Sequence, residues 1–173
     1  FTDALNLHAI SLISGAIRQF VSNPSDTKAG LDMLCGSALA GMAFGQTGLG
    51  NVHCMARFVG ARYHVSHGLS NALCLPVVAR FNMIACPGRY ADIARAMGCV
   101  TYGLNDLDAA DLAVEAITRL CTDLGIPSHL SEVGAVEEDI PELSDQCSKA
   151  GYEKWNPRLT SRDQFELLFR EAL

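Results

Sequence analysis

The chain has 173 residues, 49% of them hydrophobic, enough to bury about 70% of the surface that the unfolded chain would expose. Its formal net charge of −6, without a basic cluster, argues against a nucleic-acid surface or an anionic membrane as partner. No apolar run approaches the roughly eighteen residues of a bilayer span. The opening Phe1-Thr2-Asp3 has no initiator methionine, basic n-region or apolar h-region, so it reads neither as a signal peptide nor as a natural start.

Thr2 is a plausible cap for a first helix, in which Leu5, Ala9, Leu12, Ile13, Ala16, Ile17 and Phe20 recur at three- and four-residue intervals until Asn23-Pro24. Ser25 or Asp26 caps a second, from about Thr27 to Phe44, with an apolar face of Leu31, Leu34, Cys35, Ala38, Leu39 and Met42. A histidine-rich stretch follows, in which Ser66 would cap a helix opened by His67 and bent one turn before Pro76. Pro87 and Gly98 frame a short helix. Asp106 or Asp108 starts another that turns Leu112, Ala113, Ala116, Ile117, Leu120 and Leu124 inward and stops at Gly125-Ile126-Pro127. A loop leads to a helix from about Glu137 to Lys149. After an irregular stretch from Gly151 to Arg158, a last helix from about Ser161 turns Phe165, Leu168 and Phe169 inward.

No segment alternates apolar and polar residues over a strand length, and no internal repeat is present. The expected fold is all-α, a compact non-repeating bundle of about eight helices forming one domain over residues 1–173. The seven cysteines are odd in number and form no Cys-x-x-Cys pair, which suits buried thiols in a reducing cytoplasm better than a disulfide framework.

The chemistry concentrates between Phe44 and Asn82, which holds three of the five histidines. His53 and His67 are fourteen residues apart. On one straight helix that interval would separate them by roughly 21 Å, so they can share an ion only if the chain folds back. Gly60 and the segment Tyr63-His64-Val65-Ser66 supply the means. Either histidine alone reads as an ordinary core or interface imidazole. Asp3 and His8, five apart, fall about 140° from each other around a helix and make a poor pair. His8 reads as a partly buried helix residue and His64 as a surface or turn imidazole.

The runs GLGNVHCMA and HGLSNALCLPVVARFN resemble the long signature of the iron-dependent (group III) alcohol dehydrogenases, with the histidine interval intact. LGIPSHLSEVGAVEEDIPELSDQC, NPRLTSRDQFELLF and TDALNLHAISLI extend the resemblance over almost the whole chain. The resemblance implies the helical C-terminal domain of the dehydroquinate synthase-like architecture, with His53 and His67 as two ligands of a catalytic Fe²⁺ or Zn²⁺. It also implies two further ligands, spaced Asp-x-x-x-His, and a nucleotide-binding α/β domain that this chain lacks, since no strand here leads into a Gly-rich phosphate loop.

Phe44 matches a position that lines the family's substrate channel, although a core aromatic fits equally well. Arg57 stands where many members carry a second histidine. It cannot serve as a general base, and reads either as a binder of carboxylate or phosphate on substrate or cofactor or as a salt-bridged surface residue. Tyr152 and Trp155 fall where members often have a small Gly-rich loop, implying a narrower or more aromatic pocket. The expected function is NAD(P)-linked oxidation of a small alcohol, or reduction of an aldehyde or ketone, by the complete cytoplasmic enzyme. This chain alone is expected to be inactive, to bind metal poorly or not at all, and to self-associate through an exposed domain interface. The alternative is a non-catalytic helical binding or scaffold module derived from the family.

Overall fold

The computed structural model describes residues 1–173, the side chain of Glu153 excepted. Eight α-helices and three short 3₁₀ turns are present, with no strand among the described residues. The α-helices are α1 (Thr2–Ser22), α2 (Thr27–Phe44), α3 (Asn51–Tyr63), α4 (His67–Met83), α5 (Pro87–Ala96), α6 (Asp106–Asp123), α7 (Ile140–Lys149) and α8 (Arg162–Ala172). The all-α expectation therefore holds, and the helices divide between two compact units.

The first unit, residues Phe1–Gly48 and Cys86–Leu124, holds α1, α2, α5 and α6. Small residues let its helices approach closely. Ala9 and Ala16 on α1, and Ala29, Gly36 and Ala43 on α2, are buried at seven-residue intervals, the spacing that keeps one stripe against a neighbouring helix. At Gly36 the fit leaves no space for a side chain: a Cβ would lie 2.6 Å from Ile13 Cγ1 and 3.3 Å from the Ala9 carbonyl oxygen.

That packing reverses the expected face of α2. Leu31, Leu34 and Met42 lie on the exposed side, 60%, 71% and 54% accessible, and Cys35 is exposed as well. Both sides of this helix are apolar, and the small side wins the interior because it allows backbones to approach. In α6 the buried stripe is likewise the alanine-rich one, Ala109, Ala110, Ala113 and Val114.

Capping follows the side chains available. Phe1, not Thr2, occupies the cap position of α1 and makes no side-chain bond there. Asp26 caps α2 by accepting from the Ala29 N–H at 3.0 Å, and Asn105 caps α6. Across the unit Arg18 pairs with Asp123 at 2.7 Å.

The second unit, residues Leu49–Ala85 and Gly125–Leu173, holds α3, α4, α7 and α8. Its core gathers Met55 and Val59 of α3, Leu73 and Val78 of α4, Ile140 and Leu143 of α7, and Phe165, Leu168 and Phe169 of α8. The inward face expected for α8 is the one observed. Ser161 caps this helix, its hydroxyl accepting from the Gln164 N–H while the Gln164 side chain accepts from the Ser161 N–H. The expected helix over 137–149 begins as a 3₁₀ turn, Glu137–Asp139, before α7, and α4 continues through Pro76 to Met83.

Candidate metal centre

The return between α3 and α4 is what brings two imidazoles together. His64 ends α3 in the left-handed conformation, at φ 55°, and reverses the chain direction. Gly60 admits the returning segment, since a Cβ there would sit 3.0 Å from the Val65 carbonyl oxygen and 3.1 Å from Ser70 Oγ. Ser66 occupies the cap position of α4 without a side-chain cap bond. Instead Ser70, fully buried, donates to the Ser66 carbonyl at 3.0 Å and holds the turn from within.

The His53 and His67 rings consequently lie with centroids 5.3 Å apart and planes tilted by 47°. Two rings bonded to one ion at about 2.0–2.1 Å through one nitrogen each have centres on the order of 5–6 Å apart, so the observed spacing suits a shared divalent cation. Burial, followed by the neighbouring His67, holds the His53 imidazole below its ordinary pKa. The neutral ring favoured in this way is the form that donates to a metal. Asn71 donates through Nδ2 to the His67 carbonyl at 2.8 Å, and the same nitrogen lies 3.1 Å from His67 Nε2. The donor set is nevertheless only a pair, for among the described residues no cluster of three or more His, Cys, Asp or Glu side chains could hold an ion.

The remaining candidates are distributed as follows. Arg57 is exposed, one turn beyond His53 on α3, with its guanidinium 5.5 Å from the Phe58 ring. It makes no ion pair among the described residues. Tyr152 packs on the core of the second unit, while Trp155 is 54% exposed. Together with Leu49, Ala150, Gly151 and Lys154 they line a cleft of about 300 Å³, and the Trp155 N–H donates to the Tyr152 carbonyl at 3.0 Å. Phe44 closes α2 in the first unit and is 52% exposed, so it is not a core aromatic. Asp3 is paired with Arg89, and His8 is exposed rather than partly buried. His64 is also exposed.

Sequence reasoning missed a set of polar residues behind the first turn of α3. Asn51 and Asn82 are 1% and 6% accessible and connect to Asn156 and Thr160 from the segment before α8. The available signal was the occurrence of asparagine inside otherwise apolar helices, where an unpaired amide would be costly.

An all-helical chain that presents two adjacent imidazoles from a hairpin of short helices belongs to a recognisable class. Residues 1–173 match throughout the profile "Fe-containing alcohol dehydrogenase family, C-terminal", and the chain belongs to that family. It is 46% identical over 171 residues to the 1,3-propanediol dehydrogenase of Citrobacter freundii, covering 99% of this chain and 44% of that protein. It is 42% identical over 171 residues to the lactaldehyde reductase of Escherichia coli K12, with the same coverage. The crystal structure of a 1,3-propanediol oxidoreductase superposes with a TM-score of 0.97 at 45% identity, over 99% of this chain and 45% of that one. The chain thus spans a little under half the length of the relatives it matches.

Proposed function

We propose that residues 1–173 act as the single helical metal-binding and substrate domain of an alcohol dehydrogenase, with His53 and His67 as two ligands of its divalent ion. The observation that supports this reading is the ring pair, 5.3 Å apart, in a chain of the iron-containing family. When bound, an Fe²⁺ or Zn²⁺ ion would supply Lewis-acid polarisation of an alcohol or carbonyl oxygen, while NAD(P) would accept or donate hydride.

This chain's part is to fix two neutral nitrogens and to shape the approach to them. Arg57, on the same helix and exposed, offers a bidentate donor to a carboxylate or phosphate on substrate or cofactor. Tyr152 and Trp155 give a cleft of the same unit aromatic walls. The printed names of the relatives, 1,3-propanediol dehydrogenase and lactaldehyde reductase, favour a small alcohol or its aldehyde as substrate. Two imidazoles alone make a weak site, because catalytic ions take about three protein ligands. The chain by itself therefore binds metal weakly and shows no turnover. Its exposed apolar stripe on α2 promotes self-association, and a monomer in light scattering at every concentration would count against that point.

The test is a Zn²⁺ titration of the 173-residue chain followed by NMR of the five histidine rings. The His53 and His67 signals should move together while those of His8, His64 and His129 stay. If the two sets respond alike, or if only one of the pair moves, the shared-ion reading is wrong.

A further inference from the structure

We infer that Asn156 is the positioning residue for His53, acting as a cap delivered from a distant segment to the first turn of α3. This assignment rests on the reading above in which His53 and His67 work as a pair. Gly50 occupies the cap position of α3 and has no side chain to satisfy the free N–H groups of the helix. The missing acceptor comes from 105 residues later in the chain: Asn156 Oδ1 accepts from the Asn51 N–H at 3.2 Å. Glycine at position 50 eases this approach, because a Cβ would crowd that same oxygen at 3.0 Å.

The Asn156 amide uses its full bonding capacity. Its Oδ1 also accepts from Asn82 Nδ2 at 2.9 Å. Its Nδ2 donates to Asn82 Oδ1 at 2.7 Å and to the Arg158 carbonyl at 2.8 Å. Four bonds are the most that a side-chain amide of this kind ordinarily makes, so the group has a single allowed orientation. Asn82 belongs to α4, the helix that His67 opens, and one amide thereby ties the start of α3 to the last turn of α4.

Neighbouring bonds brace the segment. Arg158 donates through Nη1 to the Phe81 carbonyl at 2.9 Å, with its guanidinium 3.9 Å from the Phe81 ring centre. Thr160 donates to the Arg158 carbonyl at 2.9 Å and accepts from Asn51 Nδ2 at 2.7 Å. His53 is two residues beyond Asn51 on a turn whose first N–H and first side chain are both held by this segment. Its ring is thereby directed toward His67.

Three variants of the 173-residue chain test the assignment: Asn156→Ala, Asn156→Asp and Asn82→Ala. Two quantities are read well below each variant's Tm. One is the nuclear Overhauser contact between the His53 and His67 rings, which needs no metal. The other is the apparent Zn²⁺ affinity, which loss of an outer-shell partner typically lowers about ten- to hundredfold.

Asn156→Ala should lose the ring contact and show that drop in affinity. Asn156→Asp keeps an acceptor for the Asn51 and Asn82 N–H groups but turns a carboxylate oxygen toward Asn82 Oδ1 and the Arg158 carbonyl, so it should lower Tm yet retain the ring contact. Asn82→Ala should weaken the contact less than Asn156→Ala. The assignment is overturned if folded Asn156→Ala keeps the wild-type contact, or if Asn156→Asp loses it as fully as alanine does. Should Asn156→Ala fail to fold, the comparison of Asn156→Asp with Asn82→Ala decides, and equal loss in both counts against the cap. A wild-type chain with the ring contact and no Zn²⁺ response would remove the metal reading while leaving Asn156 as the residue that sets the ring pair.

Discussion

Two glycines in the first unit occupy the same kind of position, the interior of a helix, yet only one of them should be stabilised by alanine. Gly15 on α1 has nothing within 4 Å of the site where a Cβ would be added, whereas at Gly36 on α2 that carbon would meet Ile13 Cγ1 at 2.6 Å. Glycine to alanine in a helix interior is worth about 0.8–1.0 kcal/mol from backbone entropy alone, so Gly15→Ala should stabilise by about that amount. Gly36→Ala receives the same contribution and loses about 1–3 kcal/mol to overpacking. The Ala9 carbonyl oxygen, 3.3 Å away, belongs to the backbone of α1 and cannot yield as a side chain can. The net result at Gly36 is a change between about zero and a 2 kcal/mol loss. At about 2–4 °C per kcal/mol, the two variants should be separated by several degrees in thermal unfolding. Urea unfolding gives the free energies directly. Truncation at the same contact, Ile13→Ala, should interact with Gly36→Ala: the double variant should be more stable than the sum of the singles predicts, because the added methyl group occupies the space that isoleucine vacates. A Gly36→Ala chain as stabilised as Gly15→Ala would refute the close α1–α2 packing.

Three further outcomes follow from groups elsewhere in the molecule. Asp139 accepts from Arg62 and from Tyr63, and those bonds, Arg62 first, hold its carboxyl below the usual value. A depressed carboxylate stabilises the folded chain above its unfolded pKa and loses that contribution as pH falls through the folded one. Acid unfolding of the wild type should therefore depend more steeply on pH below about 4 than that of Asp139→Asn, and parallel curves would contradict the pairing. Burial pushes the Cys74 thiol up to about 12, and a hydrogen bond with the Cys54 thiol, followed by burial, raises Cys147. A thiol reagent near neutral pH should therefore label exposed Cys35 first and reach Cys54, Cys74 and Cys147 only on unfolding. Phe165→Ala in the core of the second unit should cost about 3–5 kcal/mol in urea unfolding, and a cost under 1 kcal/mol would mean that this ring is not buried as described.

The extent to which this fold could be read in advance depended on how each helix distinguishes its faces. In α8, Phe165, Leu168 and Phe169 stand against charged residues, and one period sufficed to find the buried side. In α2 the polar face is missing. Leu31, Leu34 and Met42 were the obvious candidates for burial, yet the interior side is Ala29, Gly36 and Ala43. Hydrophobicity ranks leucine above glycine, whereas close helix packing ranks them by size, and only the seven-residue recurrence of small residues signals the second criterion. Capping shows the same division: Asp26, one of the two candidates that the local pattern offered, acts at the start of its own helix. The acceptor for the start of α3 arrives from Asn156, which no local pattern could indicate.

The candidate site was legible for the same physical reason that its support was not. His53 and His67 are separated by a short segment whose glycine and β-branched residues foretell a reversal, and the left-handed His64 is where the reversal occurs. Around α3, Asn51, Cys54, Met55, Ala56 and Val59 are buried, which at about 100° per residue leaves positions 53 and 57 together on the opposite side. A helix pinned through one face presents the other without freedom to rotate. That is why a bond network behind Asn51 bears on the orientation of His53. A histidine or an arginine can be singled out by its own chemistry, but the asparagines that fix the helix acquire theirs only through partners the fold supplies.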